Sequence, residues 1–212
     1  MSVIKERRSK SVDKTTEQVK AELATNLADM GNALLTLLGD VTSATKLDEA
    51  TAAIKVLIDR SVSLAQNQLG RQTDIPCRVR AAYYQFDDGN KNLARNNSHT
   101  CAGDKPPRTR FVGSGSDHDD DVIRLALGED VRFIRDLERE PLPYSLDSGT
   151  RSYKTLIAVP VRSGNSSYGL LTADSDVAYS LTSADKGFLI LFAGILAAGL
   201  AHLETVRGAA QS

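Results

Sequence analysis

The chain has almost no charge imbalance: 26 Lys and Arg stand against 27 Asp and Glu over 212 residues. A chain so balanced has no net field to draw nucleic acid or an anionic membrane, and both are set aside as partners. Cysteine is nearly missing too, with Cys77 and Cys101 alone. Two thiols do not make a disulfide scaffold and fit a reducing compartment. No apolar segment follows the start methionine as a signal peptide would require, so the expected location is cytoplasmic. Long hydrophobic runs are also missing but for one, Gly187 to Ala201, fifteen residues without a charge. A membrane span wants about twenty, and Lys186 and His202 bound the run closely, so it reads as a helix buried on all sides. Membrane contact is expected only through an upstream segment.

What is present, at 41% hydrophobic residues, suffices for one core. Residues 1–14 are polar and locally basic and read as a flexible end. Residues 15–44 form a helix in which Leu23, Leu27, Met30, Leu34, Leu37 and Val41 step by fours and threes, an a/d seam that Gly39-Asp40 should end. Thr45 to Leu69 is a second helix, capped by Thr45 or Ser43, with Asp48 and Glu49 in its first turn and Gly70 as its stop. Its apolar line runs through Leu47, Ile54, Leu57, Ser61 and Leu64.

Cys77 to Phe86 is the first strand, and Asp87 to Asn90 is a turn that leads to a polar partner in Lys91 to Asn97. Residues 97–121 are rich in Gly, Pro, Asp and Ser, with one strand candidate at Thr109 to Val112. Short helices are expected over Asp119 to Leu127 and Glu129 to Glu138. Lys154 to Val161 and Tyr168 to Ala173, joined by a Gly/Asn turn, form a hairpin covered on both faces, with Pro160 at a bulge or an edge. A last helix opens near Ser183, where Asp185 caps it, and residues 208–212 read as a tail.

The hairpin text, Val-Pro-Val, a polar turn, then Tyr-Gly-Leu-Leu-Thr-Ala-Asp and Thr-Ser-Ala-Asp before an apolar helix, resembles the C-terminal half of a GAF domain. The resemblance extends loosely back to about Thr45 and implies a GAF-like domain over 45–207. The fold it implies is α+β: an antiparallel sheet of five or six strands, long helices on one face and a lid of loops and short helices on the other. It further implies a cytoplasmic sensory or regulatory module, not an enzyme, that binds an unidentified small molecule under the Asn97 to Thr150 lid and signals through its helices to another protein. The alternative is a ligand-free scaffold whose pocket is filled by its own side chains.

Under this comparison Arg80, Tyr84, Arg110, Phe133, Tyr153 and Thr155 are the pocket candidates. Arg80 leads, because a strand arginine between Val79 and Ala81 must meet an acid or an anionic ligand. From the residues alone, Ser114, Gly115 and Ser116 offer hydroxyls and backbone N–H groups at a helix start, where an anion can sit. The aspartates at 117 and 119–121 crowd the same place and serve equally as caps. No Walker loop follows. A last helix apolar all round needs a second partner, either the two N-terminal helices of the same chain or those of a second copy. GAF-like domains commonly pair through their first and last helices, so the resemblance implies a homodimer through Leu27, Leu34, Phe188, Phe192, Ile195 and Leu196.

Known subtypes fit less well. Cyclic-nucleotide-binding members resemble one another through an Asn-Lys, Phe and Asp-Glu pattern, of which Asp185 alone is kept here. Pigment attachment needs a cysteine beside a histidine, whereas Cys101 lies two after His99. The sulfoxide-reducing members use clustered pocket cysteines, and Cys77 and Cys101 are far apart in sequence. His99 and His118 lack a second ligand at metal spacing, and no cofactor is assigned.

Overall fold

The structure, a computed structural model, describes residues 21–211 apart from 22, 23, 26, 72, 74, 88, 96–99, 104–105 and 141–151. The N-terminal end expected to be flexible, Leu23 of the seam, His99 and the two prolines at 141 and 143 fall outside the described residues. The chain divides into two compact units, Met1–Ala33 and Leu34–Ser212. In the first, residues 27–33 are helical, and Leu27 is 40% exposed. The second unit carries the sheet.

It opens on a helix over 34–43, α1, that passes through Gly39 rather than ending there. Thr42 and Ser43 turn their hydroxyls back onto the carbonyls of Leu38 and Gly39, which uses Ser43 inside α1 and leaves α2 to start without it. Helix α2 spans Leu47–Gln68, and its N-cap Lys46 makes no side-chain cap, contrary to the expected Thr45 or Ser43. The carboxylates of Asp48 and Glu49 in the first turn complement the helix dipole instead. Gly70, at φ +77°, closes the helix as its sequence position suggested.

The described strands are β1 Val79–Phe86, β2 Asn92–Ala94, β3 Cys101–Ala102, β4 Arg110–Val112, β5 Arg132–Ile134, β6 Thr155–Ser163 and β7 Ser166–Ser175. They form one antiparallel seven-stranded sheet in the order β4-β2-β1-β7-β6-β5, with β3 also on β1. Helix α3 covers Asp117–Leu127, and α4 covers Ser183–Gln211. Residues 129–138, expected as a helix, contain β5 instead, because Arg-Phe-Ile pairs with Leu156 to Ala158 and the edge partner outweighs local preference. The expected tail is also different: α4 runs on through Ala209 and Ala210, strong helix formers.

Pro160 faces Leu170 two residues beyond the last β5 pair, Arg132 with Ala158. At that point β6 has a neighbouring strand on one side, so a missing N–H costs no ladder bond, and the register shift follows at Val161 and Arg162.

Strand parity assigns the two faces. Arg80, Asp174 and Leu156 lie across from one another, as do Ala82, Thr172, Ala158 and Arg132. Those residues share one face with Tyr84 and Leu170. The other face, with Tyr83, Leu171, Ile157 and Val159, packs under α2 and α4, whose Ile54, Leu57, Phe188, Phe192 and Leu196 are buried. The two helices approach closely at Gly199, where a Cβ would stand 2.8 Å from Ile54 and 3.0 Å from Leu57. His202 links the helix layer to the α1–α2 turn through Nε2, 3.0 Å from the Ala44 carbonyl. Five of the six residues assigned to a dimer contact, all but Leu27, are thus already buried within the chain. The outward face of α4 is made by Gly187, Ile190, Leu191, Gly194 and Ala198.

Candidate functional site

The face away from α2 and α4 is covered by α3 and the loop before β4. Beneath this cover lies a cavity of about 430 Å³. That volume falls within the roughly 300–1,000 Å³ of small-molecule sites. Its floor is apolar, made by Leu156, Ala158 and Leu170 of the hairpin, with Val122 and Leu125 of α3 above. Tyr84 and Phe111 form one wall edge to face, 5.0 Å between centroids, and His118 meets Phe111 in the same way at 5.7 Å. The Tyr84 hydroxyl donates to the Arg108 carbonyl at 2.9 Å, tying the cover to β1, and burial pushes its pKa well above the ordinary value.

Three arginines line the cavity, each paired with an aspartate. Arg80 Nε donates to Asp174 Oδ1 at 2.7 Å, with its guanidinium over the Tyr153 ring. This is the acid that the strand position of Arg80 called for. Asp174 is nearly enclosed, and desolvation raises its pKa although Arg80 pulls the other way. Arg108 meets Asp119 through Nη2 to Oδ2 at 2.9 Å and lies over the Phe111 ring. Arg132 holds both carboxylate oxygens of Asp121, Nη2 to Oδ1 at 3.3 Å and Nη1 to Oδ2. Asp119 and Asp121 stand one behind each arginine on α3, with side chains 3% and 10% exposed. Buried carboxylates on one side fix the guanidinium planes on the other.

Of the sequence candidates, Arg80, Tyr84 and Tyr153 line this cavity. Thr155 and Phe133 do not. Thr155 is fully buried on the helix-covered face and donates to the Ile134 carbonyl at 2.8 Å, and Phe133, opposite Ile157, shares that face. Sequence parity within one strand gave no means of telling the two faces apart. Arg110 points outward to Asp87 at 3.8 Å.

The Ser114 to Ser116 loop is not an open anion cradle, because the neighbouring acids fill it. Ser114 N–H donates to Asp120 Oδ1 at 2.7 Å, Val112 N–H to Asp119 Oδ2 at 3.0 Å, and Gly115 N–H to the Val112 carbonyl at 2.9 Å. Ser116 is the N-cap of α3, accepting from Asp119 N–H. The cap is thus a serine, and the aspartates expected as caps serve the loop N–H groups instead. Arg108, Arg132 and Asp174 were missed. A basic residue just ahead of a strand and another opening one carry no mark until α3 brings Asp119 and Asp121 to them.

Both cysteines are free and occupy different surroundings. Cys77 lies beside Gly70 and Val79 at the α2–β1 connection. Cys101 on β3 stands 2.8 Å from Arg95 Nη1 and packs on the α3-side core. Among the described residues, the cavity lining contains neither.

No family model and no curated protein matches the sequence. Solved structures do. The free methionine-R-sulfoxide reductase of Neisseria meningitidis, in complex with its substrate, matches with a TM-score of 0.55 at 17% identity, over 86% of this chain and 93% of that one. The GAF domain of an Acinetobacter phosphoenolpyruvate-protein phosphotransferase gives 0.54 at 13%, over 82% and 93%. The fold is that of a GAF domain. A third match is the chromophore-binding domain of a bacteriophytochrome from R. palustris, at 0.54 and 14% identity, over 89% of this chain and 63% of that one. The GAF fold thus houses sensors and reductases, and at these identities the likeness speaks to the fold alone.

Proposed function

We propose that this chain is a GAF-type sensory or regulatory domain that holds a small molecule between the sheet and α3 and relays its presence through the α2–α4 helix pair. The observation that carries this reading is the cavity itself. An apolar floor ringed by arginines whose planes are held from behind is a binding surface, and a scaffold domain has no use for it. The ligand-free alternative required Tyr84, Phe133 and Tyr153 to fill the space together, and Phe133 lies on the opposite face.

A non-enzymatic role is supported by the separation of the two thiols, Cys77 at the α2–β1 connection and Cys101 on β3. The relay needs a partner surface. The outward stripe of α4, with Ile190 at 42% and Leu191 at 37% exposed beside Gly187 and Gly194, fits a second copy of this chain, and a homodimer in the cytoplasm is part of the proposal. Ligand capture would shift how the helices pair and so signal to a further protein.

Differential scanning fluorimetry against a metabolite library tests the reading. A ligand at a hundred times its Kd adds about 2.7 kcal/mol and a melting shift of several degrees. A library that moves neither the melting temperature nor the proteolysis pattern of residues 106–135 would count against it.

A further inference from the structure

Resting on the reading of the cavity as a ligand site, we propose that it selects a small monoanionic carboxylate with an apolar or aromatic body, and that Arg132 reads the carboxylate. The charges decide how much negative charge can enter. Three guanidiniums line the space, and each already faces a carboxylate, Asp174, Asp119 or Asp121, the last shared with Arg124 at 4.0 Å. A nucleoside diphosphate or inorganic phosphate would place two or more charges in a partly enclosed space where, among the described residues, every lining guanidinium already has a carboxylate partner. One carboxylate can instead share an N–H edge that the buried aspartate leaves over.

Arg132 has the geometry for this. Asp121 takes its Nη1 and Nη2, two of the groups that carry its five N–H donors, and fixes the guanidinium from the α3 side. The residue still lines the cavity. A donor fork held in place in advance loses little freedom when an anion arrives.

The position of Arg132 sets where the rest of the ligand goes. It stands across β6 and β7 from Ala82, with Ala158 and Thr172 between. At strand spacings of about 4.8 Å, the β5 and β1 ends of this floor lie roughly 14 Å apart. Leu156, Ala158 and Leu170 cover the distance, and Tyr84 with Phe111 closes the far end. A ligand with its head at Arg132 therefore lays an apolar body along the hairpin toward the aromatic wall. Arg80 is occupied at the other side by Asp174 and Tyr153, and Arg108, half exposed over Phe111, lies nearer the mouth.

Matched probe pairs test this on the full chain: benzoate, phenylacetate and hexanoate against their primary amides, with inorganic phosphate and ADP as polyanions, read by calorimetry and by protein-observed NMR. At least one acid is expected to bind about tenfold or more tightly than its amide, since a hydrogen bond to a charged group carries that much. Phosphate and ADP should be weaker than that acid. Arg132→Lys keeps the charge without the fork and should erase most of the acid-over-amide preference while the amide binds as before. Amides equal to acids, or ADP stronger than any acid, would overturn the ligand class and leave the cavity a binding site. If no acid and no amide perturbs cavity resonances at millimolar concentration, the class and the proposed function fall together.

Discussion

Arg80 and Asp174 show how a single pair of residues can belong both to the fold and to the site. Their side chains are 14% and 10% exposed, so removing one strands the other in a poorly hydrated place. Asp174→Ala is expected to cost about 3–5 kcal/mol in urea unfolding, whereas Arg80→Leu with Asp174→Leu should recover most of that loss. A double variant as unstable as the single one would mean that the pair itself, not its desolvation, holds the sheet.

Two aspartates titrate in opposite senses. The Arg78 backbone N–H holds Asp176 below its ordinary 3.8, while burial holds Asp174 above it. A lowered carboxylate stabilises the fold above its unfolded value and ceases to do so as pH falls through its folded one. Asp176→Asn should therefore lower stability at neutral pH, and the difference from the parent chain should close below about pH 3.8. A raised carboxylate behaves the other way, so the contribution of Asp174 becomes less favourable as pH rises from 3.8 through its folded value. Stability curves of Asp176→Asn and its parent measured from pH 2 to 7 check the first sign directly.

At the scale of elements, three contacts set how strands and helices meet. Gly169, at φ +146°, lies where β7 crosses β1, and a Cβ there would overlap the Tyr84 carbonyl. Backbone cannot swing aside as a side-chain end can. Gly169→Ala is expected to destabilise by roughly 3 kcal/mol or more and to disturb Tyr84, hence the cavity wall. At Gly199 the neighbours are the flexible ends of Ile54 and Leu57, so Gly199→Val should cost less, about 1–3 kcal/mol.

Asp185 joins two elements at once. Fully buried, it accepts from Thr182 N–H at 2.7 Å, Thr182 Oγ1 at 2.8 Å and Gly70 N–H at 3.0 Å, so one carboxylate caps α4 and anchors the end of α2. Asp185→Ala leaves those donors without it and should lower the thermal midpoint sharply, by roughly 3 kcal/mol in free energy. A change under about 1 kcal/mol would show that water replaces the carboxylate there.

For the whole molecule, an apolar surface lies on α4. The helix is long and apolar enough to cross a membrane, and 56% of its apolar window is buried within the chain. The remainder is the outward stripe, and on the proposed reading a second copy covers it. Leu191→Glu places a charge there without touching the buried Phe192 or Leu196. Light scattering should find the variant as a monomer with its fold intact, and a parent chain that is itself monomeric at micromolar concentration would remove the dimer from the proposal.

The sequence by itself determined the elements that rest on local chemistry or on strong periodicity. These are α2 with its stop at Gly70, β1, the hairpin around Pro160, Asp185 at the head of α4 and the GAF-like order of them all. Tertiary structure alone decided four other things. It chose which strand face meets α3, because a period of two names two faces and not their neighbours. It made 129–138 yield a strand at the edge of β6, and it closed the 113–116 loop on its own aspartates. It also built the arginine ring, since Asp119 and Asp121 reach Arg108 and Arg132 across a turn and a strand whose pairing no local pattern encodes.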